Sequence, residues 1–145
     1  MTRNSRIRWG RVVIAALLSE VGVMAVIIIM NAAYRFLVAP GRSSAEYQAF
    51  GDAANYYVAP IAAGLATFFG ALWATRKMTS SFIVNGTLVG LIAVVLTVGL
   101  LFAVKPEDRL MYGVSYLLRV LGGYLGGLVA RQMSTRGSPS PLPAL

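Results

Sequence analysis

Residues 110–130 read LMYGVSYLLRVLGGYLGGLVA, a stretch long and apolar enough to cross a bilayer that nevertheless carries Arg119 near its middle. On a helix advancing about 100° per residue, Ser115, Arg119, Gly122, Gly123, Gly126 and Ala130 share one face. Leu117, Leu118, Leu121, Leu125 and Leu128 share the other. One side suits lipid; the opposite side is small, grooved and charged. An isolated charge at the centre of a membrane helix costs about 2.5–3.5 kcal/mol on insertion scales, so the guanidinium needs a counter-charge. Glu20 is the only acid inside another apolar stretch, and an intramembrane pair of Glu20 with Arg119 is therefore expected to organise the chain.

Their depths agree with this. Glu20 lies nine residues past Arg11, and Arg119 lies twelve residues before Arg131. At 1.5 Å per residue they sit about 14 Å and about 18 Å from one boundary, a gap that two long side chains can close.

Four apolar stretches account for the low charged content, 12% against the roughly 25% usual for a soluble domain. The spacing predicts an all-α, integral membrane four-helix bundle, with spans at about 12–38, 57–75, 82–104 and 110–130. Residues 1–11 form a basic start with Trp9 as an interfacial anchor. The run that follows is too long for a signal-peptide core and contains Glu20, which predicts an uncleaved anchor. Residues 39–56 read as a long loop in which Ser43 and Glu46, spaced as a capping box, open a short helix. Pro60 is placed in the first turn of the second span, where a missing N–H matters least. Residues 132–145, rich in Ser, Pro and Gly, read as a disordered tail.

Charge sets the expected orientation. The N-terminal segment, Arg76 with Lys77, and the C-terminal segment hold eight cations and no acid. In the other two connections Arg35, Arg42, Lys105 and Arg109 are balanced by Glu46, Asp52, Glu107 and Asp108. The whole net charge of +8 thus falls on one side of a four-crossing chain. The positive-inside rule makes that side the cytoplasm, so the topology is N-in, C-in in the cell (inner) membrane.

The same composition narrows the chemistry. Without Cys or His, thiolate catalysis, the usual zinc sites and histidine acid–base work have no residues to use. Only Glu107 and Asp108 come as an acidic pair. No catalytic residue, cofactor or metal site is expected, and the chain does not read as an enzyme. The partners expected are the lipid bilayer and a membrane protein or a second copy of the chain, not nucleic acid.

Each feature admits more than one role. The Glu20–Arg119 pair could fix helix register, relay protons in transport, or recognise a partner within the membrane. Gly86 and Gly90 form one G-x-x-x-G pair, and Gly122/Gly126 and Gly123/Gly127 form two more. Small residues let backbones approach where lipid is as apolar as leucine, either inside one bundle or between two copies. Since the glycines share the Arg119 face, they are expected against the first helix, with Gly127, about 80° around, tolerant of substitution. Asn31, Thr67, Asn85 and Thr97 either line a polar seam or hydrogen-bond a neighbouring helix.

Residues 15–22, AALLSEVG, resemble the first helix of small multidrug-resistance transporters, which are short four-span proteins with one membrane glutamate there. The resemblance implies proton and cationic-drug binding at Glu20. It covers eight residues; that family has shorter loops, characteristic aromatics near the glutamate and no membrane arginine. Arg119 facing Glu20 would compete with a cationic substrate. The leading expectation is therefore a non-enzymatic structural, assembly or accessory subunit acting through helix packing, and the alternative is a small proton-coupled transporter.

Overall fold

The computed structural model describes residues 7–103, 106 and 109–136, and in them the chain is all-helical. Helix α1 (Trp9–Ala33) runs on into a π-helical turn, Tyr34–Val38. Helix α2 covers Ser44–Thr75, α3 Phe82–Thr97, the single turn α4 Leu100–Ala103, and α5 Arg109–Arg136. Four segments are long and apolar enough to cross a membrane: Trp9–Val38, Ser44–Thr75, Phe82–Ala103 and Arg109–Thr135.

The second of these departs from expectation. Residues 44–56 are helical and continuous with the segment that follows, so the connection shrinks to 39–43. The capping box at Ser43 and Glu46 starts the helix as its spacing predicts: the Glu46 N–H donates to Ser43 Oγ at 3.3 Å, and the Ser43 N–H to Glu46 Oε2 at 3.0 Å. Nothing then stops it, because AEYQAFGDAANYY lacks proline and consists largely of residues that a helix tolerates well. Pro60 consequently lies deep inside α2 rather than in its first turn. At the other end of the chain α5 continues through Gln132–Arg136, five residues that read as disordered tail; residues 137–145 lie outside the described residues, as do Glu107 and Asp108.

Helix α1 packs on α2 and α3, and α5 packs on the same two, so α1 and α5 stand across the bundle from one another. Small residues set the spacing. Val12, Ala15 and Ala16 of α1 meet Ala71 and Ala74 of α2 and Val89 and Ala93 of α3 in one buried cluster. It occupies the half of the bundle nearest Arg11. With side chains this short, the attraction is close van der Waals contact between backbones.

Polar groups from one helix close the ends of others at this same end. Asn85, fully buried on α3, accepts the N–H of Arg8 through Oδ1 at 3.0 Å and so caps α1. Its Nδ2 donates at 2.9 Å to the carbonyl of Ser81, the described non-glycine residue with positive φ (60°). Arg11 donates to the Trp73 carbonyl in the last turn of α2 at 3.0 Å and lies over the Trp73 ring. Farther along, Tyr116 of α5 donates to the Thr97 carbonyl at the end of α3. Arg8, Arg11, Arg76, Lys77 and Arg131 gather at one end of the bundle, whereas Glu46 and Asp52 lie at the other.

A candidate functional site at the Glu20–Arg119 pair

Arg119 sits one-third of the way along α5, and its direction divides two strips of glycine. Gly122 and Gly126 lie to one side of it and Gly123 and Gly127 to the other, strips about 100° apart on the helix surface. A Cβ on Gly122 would meet the Gly64 carbonyl of α2, and one on Gly126 the Phe68 carbonyl. A Cβ on Gly123 would lie 2.5 Å from the Gly86 carbonyl of α3, and one on Gly127 2.6 Å from the Phe82 carbonyl. Helix α5 is thus wedged between α2 and α3, parallel to the first and antiparallel to the second.

The glycines therefore do not pack on α1, and Gly127 is as tightly held as the rest. A helical wheel places residues on a face but is silent on whether one neighbour or two occupy it. Here two helices share it, and Gly127, 80° from Arg119, points at the second. Gly90 completes the arrangement: a Cβ there would lie 2.5 Å from the Arg119 carbonyl, so its absence lets α3 press against that very turn. Gly64 does the same from α2, against Leu118 at 3.2 Å.

With α2 and α3 on its flanks, the Arg119 side chain points along the seam between them and reaches α1 on the far side. Its Nη1 contacts Glu20 Oε1. The Arg119 side chain is 7% exposed and that of Glu20 19%. Arg119 Nε has no hydrogen-bond partner among the described residues. The pair links the two helices that otherwise share little surface, the first long helix and the last. Breaking a buried pair by removing one partner typically costs about 3–5 kcal/mol, because the other charge is left uncompensated.

Ser19, next to Glu20, adds a bond that residue spacing alone did not single out. Its Oγ lies 2.8 Å from the Ala15 carbonyl of its own helix and 3.1 Å from the Ala66 carbonyl of α2. A Cβ on Gly70 would strike that hydroxyl, so the glycine makes room for it. The other in-span polar residues behave differently. Thr67, Thr97 and Asn31 bond the carbonyl four residues back in their own helices, at 2.7, 2.9 and 2.9 Å. Asn85 alone of that group reaches another helix. Among the described residues no three of His, Cys, Asp and Glu converge.

Chemically, then, the bundle holds one carboxylate and one guanidinium in contact, the guanidinium buried and the carboxylate partly exposed. No family model, curated protein or solved structure matches this chain.

Proposed function

We propose that the chain is a multi-pass protein of the cell (inner) membrane, with both termini cytoplasmic, acting as a non-enzymatic assembly or accessory subunit through helix packing. The gathering of unbalanced cations at one end supports the orientation, since translocation of Lys- and Arg-rich segments is disfavoured. Reporter fusions after Arg136 and within residues 42–52 test it, and the two must report opposite compartments. The same compartment for both would sink the four-crossing topology.

One observation carries the functional half: Glu20 is engaged by Arg119 of the same chain. A carboxylate so held serves the bundle's own geometry, and the glycine strips are likewise spent inside it. All the long helices keep exposed apolar faces, and that of α1, with Leu17, Leu18, Val21, Ile28 and Ile29 exposed, is the one on which we place a partner. A photo-crosslinker at Leu18 or Ile28, followed by mild detergent extraction, should trap a defined membrane protein. Crosslinks to lipid alone would remove the support for a subunit role.

A proton-coupled transporter remains the second reading, favoured by the greater exposure of Glu20 than of its partner. Proton-coupled uptake in vesicles that disappears in a stably folded Glu20→Gln protein would favour it over the first.

A further inference from the structure

The far end of the α1–α2 hairpin has a feature that the packing role does not use. The π-helical turn Tyr34–Val38 closes with the Ala39 N–H donating to the Tyr34 carbonyl at 2.8 Å. Such wide turns recur at functional sites. Beside it Tyr34 stacks on Phe50 of α2, ring centroids 3.8 Å apart, and stands edge-on to Tyr47 at 6.2 Å. An open cleft of about 300 Å³ is lined there by Asn31, Ala32, Tyr34, Arg35, Phe36 and Tyr47.

Arg35 is the cation of this cleft. Its guanidinium carbon lies 5.3 Å from the Tyr47 ring centroid and 5.9 Å from that of Phe36, which orients it by cation–π contact. Among the described residues it makes no salt bridge, whereas Arg42 nearby is held by Glu46 at 2.9 Å. Asn31 gives one amide hydrogen to the Ile27 carbonyl and keeps a second. A planar cation with free donors, backed by aromatic rings, matches the oxygens of a phosphate group.

Depth points to where such a group is found. Arg35 follows Arg11 by 24 residues, about 36 Å of helix. The hydrocarbon core is about 30 Å thick, and about 40–45 Å with its headgroups. If Arg11 marks one edge of the core, Arg35 lies about 6 Å beyond the other, among the headgroups. We propose that the cleft beside the π turn binds a phosphate group through Arg35, either of a phospholipid headgroup or of a soluble phosphate compound. The depth assignment rests on the membrane reading above.

Native mass spectrometry of the detergent-solubilised chain, titrated with phosphatidylglycerol, diacylglycerol and inorganic phosphate, tests this. Expected is retention of phosphatidylglycerol over phosphate-free diacylglycerol, weakened about tenfold in Arg35→Gln, the scale of one charge-assisted hydrogen bond. Arg42→Gln should bind as the native chain does, and Arg35→Lys should fall between. Retention of inorganic phosphate that is lost in Arg35→Gln would support the site and assign it a soluble source. Equal retention of phosphatidylglycerol by Arg35→Gln and the native chain, or of the two lipids by the native chain, would overturn the proposal. Incorporation into lipid nanodiscs is scored separately, so that failure to incorporate counts against the membrane reading and not against the cleft.

Discussion

The backbone N–H of Arg8 donates to the side-chain oxygen of Asn85 at 3.0 Å, so the first turn of α1 is capped by a residue of α3. Arg8 itself has no side chain suited to the task, and it makes no side-chain cap bond. Asn85→Ala removes the acceptor for Arg8 and also a donor to Ser81. It should cost about 1–2 kcal/mol, the range of a lost helix cap, measured by thermal unfolding in detergent. Thr97→Val removes only a bond within one helix and should change stability little. A loss for Thr97→Val as large as that for Asn85→Ala would mean that the cross-helix bond has no special weight.

The wedge of α5 predicts a sharp division among glycines. Ala at Gly86, Gly90, Gly122, Gly123, Gly126 or Gly127 forces two backbones apart and should destabilise by about 1–3 kcal/mol each. Gly10 and Gly113 have nothing within 4 Å of an added Cβ. Ala at either should be neutral or stabilising by up to about 1 kcal/mol, through helix propensity. If the strips instead joined two copies of the chain, the first group would keep its melting temperature and elute as a smaller species in size-exclusion chromatography.

At the charged pair, Glu20→Gln should lower thermal stability by a few kcal/mol, on the order of 3, because it strands the Arg119 charge. The double variant Glu20→Gln, Arg119→Met should recover much of that loss, as ion pairs are often no better than apolar substitutes. Full additivity of the two single losses in this cycle would show that the residues do not act as a unit.

Glu46, exposed in the first turn of α2, offers a pH test at the end of the helix rather than in its apolar length. Its hydrogen bonds from the Ser43 backbone and then the Ser43 hydroxyl, with Arg42 adding less, hold its carboxyl below the usual value of 4.5. A carboxyl with a depressed folded-state pKa stabilises above its unfolded pKa, and that contribution is lost as pH falls through the lower, folded value. NMR titration should therefore give a Glu46 midpoint under 4.5, with the Ser43 amide shift moving in step. A midpoint at or above 4.5 would mean that the capping box does not persist in solution.

Hydropathy located the four long helices, and helical rise put Glu20 and Arg119 at nearly the same depth. The local start signal at Ser43 and Glu46 was reliable, whereas Pro60, read as a first-turn residue, lies deep inside α2. Local signals misled where the end of a segment was inferred from polarity. Residues 44–56 are polar enough to resemble a loop, yet polarity governs burial and not helix formation. The glycine contacts were hidden for a different reason: a face on a wheel has no neighbour until the whole bundle is assembled. Asn85 is the intermediate case. The sequence RIRWG opens α1 without a Ser, Thr, Asp or Asn at the cap, and that deficit could have prompted a search for a donor-satisfying residue elsewhere.

Glu20 and Arg119 are also 99 positions apart in the order of synthesis. At about 5–20 residues per second, the ribosome makes Glu20 about 5–20 s before its counter-ion Arg119. Throughout that interval the Glu20 carboxylate lacks the counter-charge that α5 brings. The contact that holds α1 and α5 in register forms only once both helices are in place. A chain cut before α5 would carry Glu20 without Arg119, the same unpaired charge that a single substitution at Arg119 leaves.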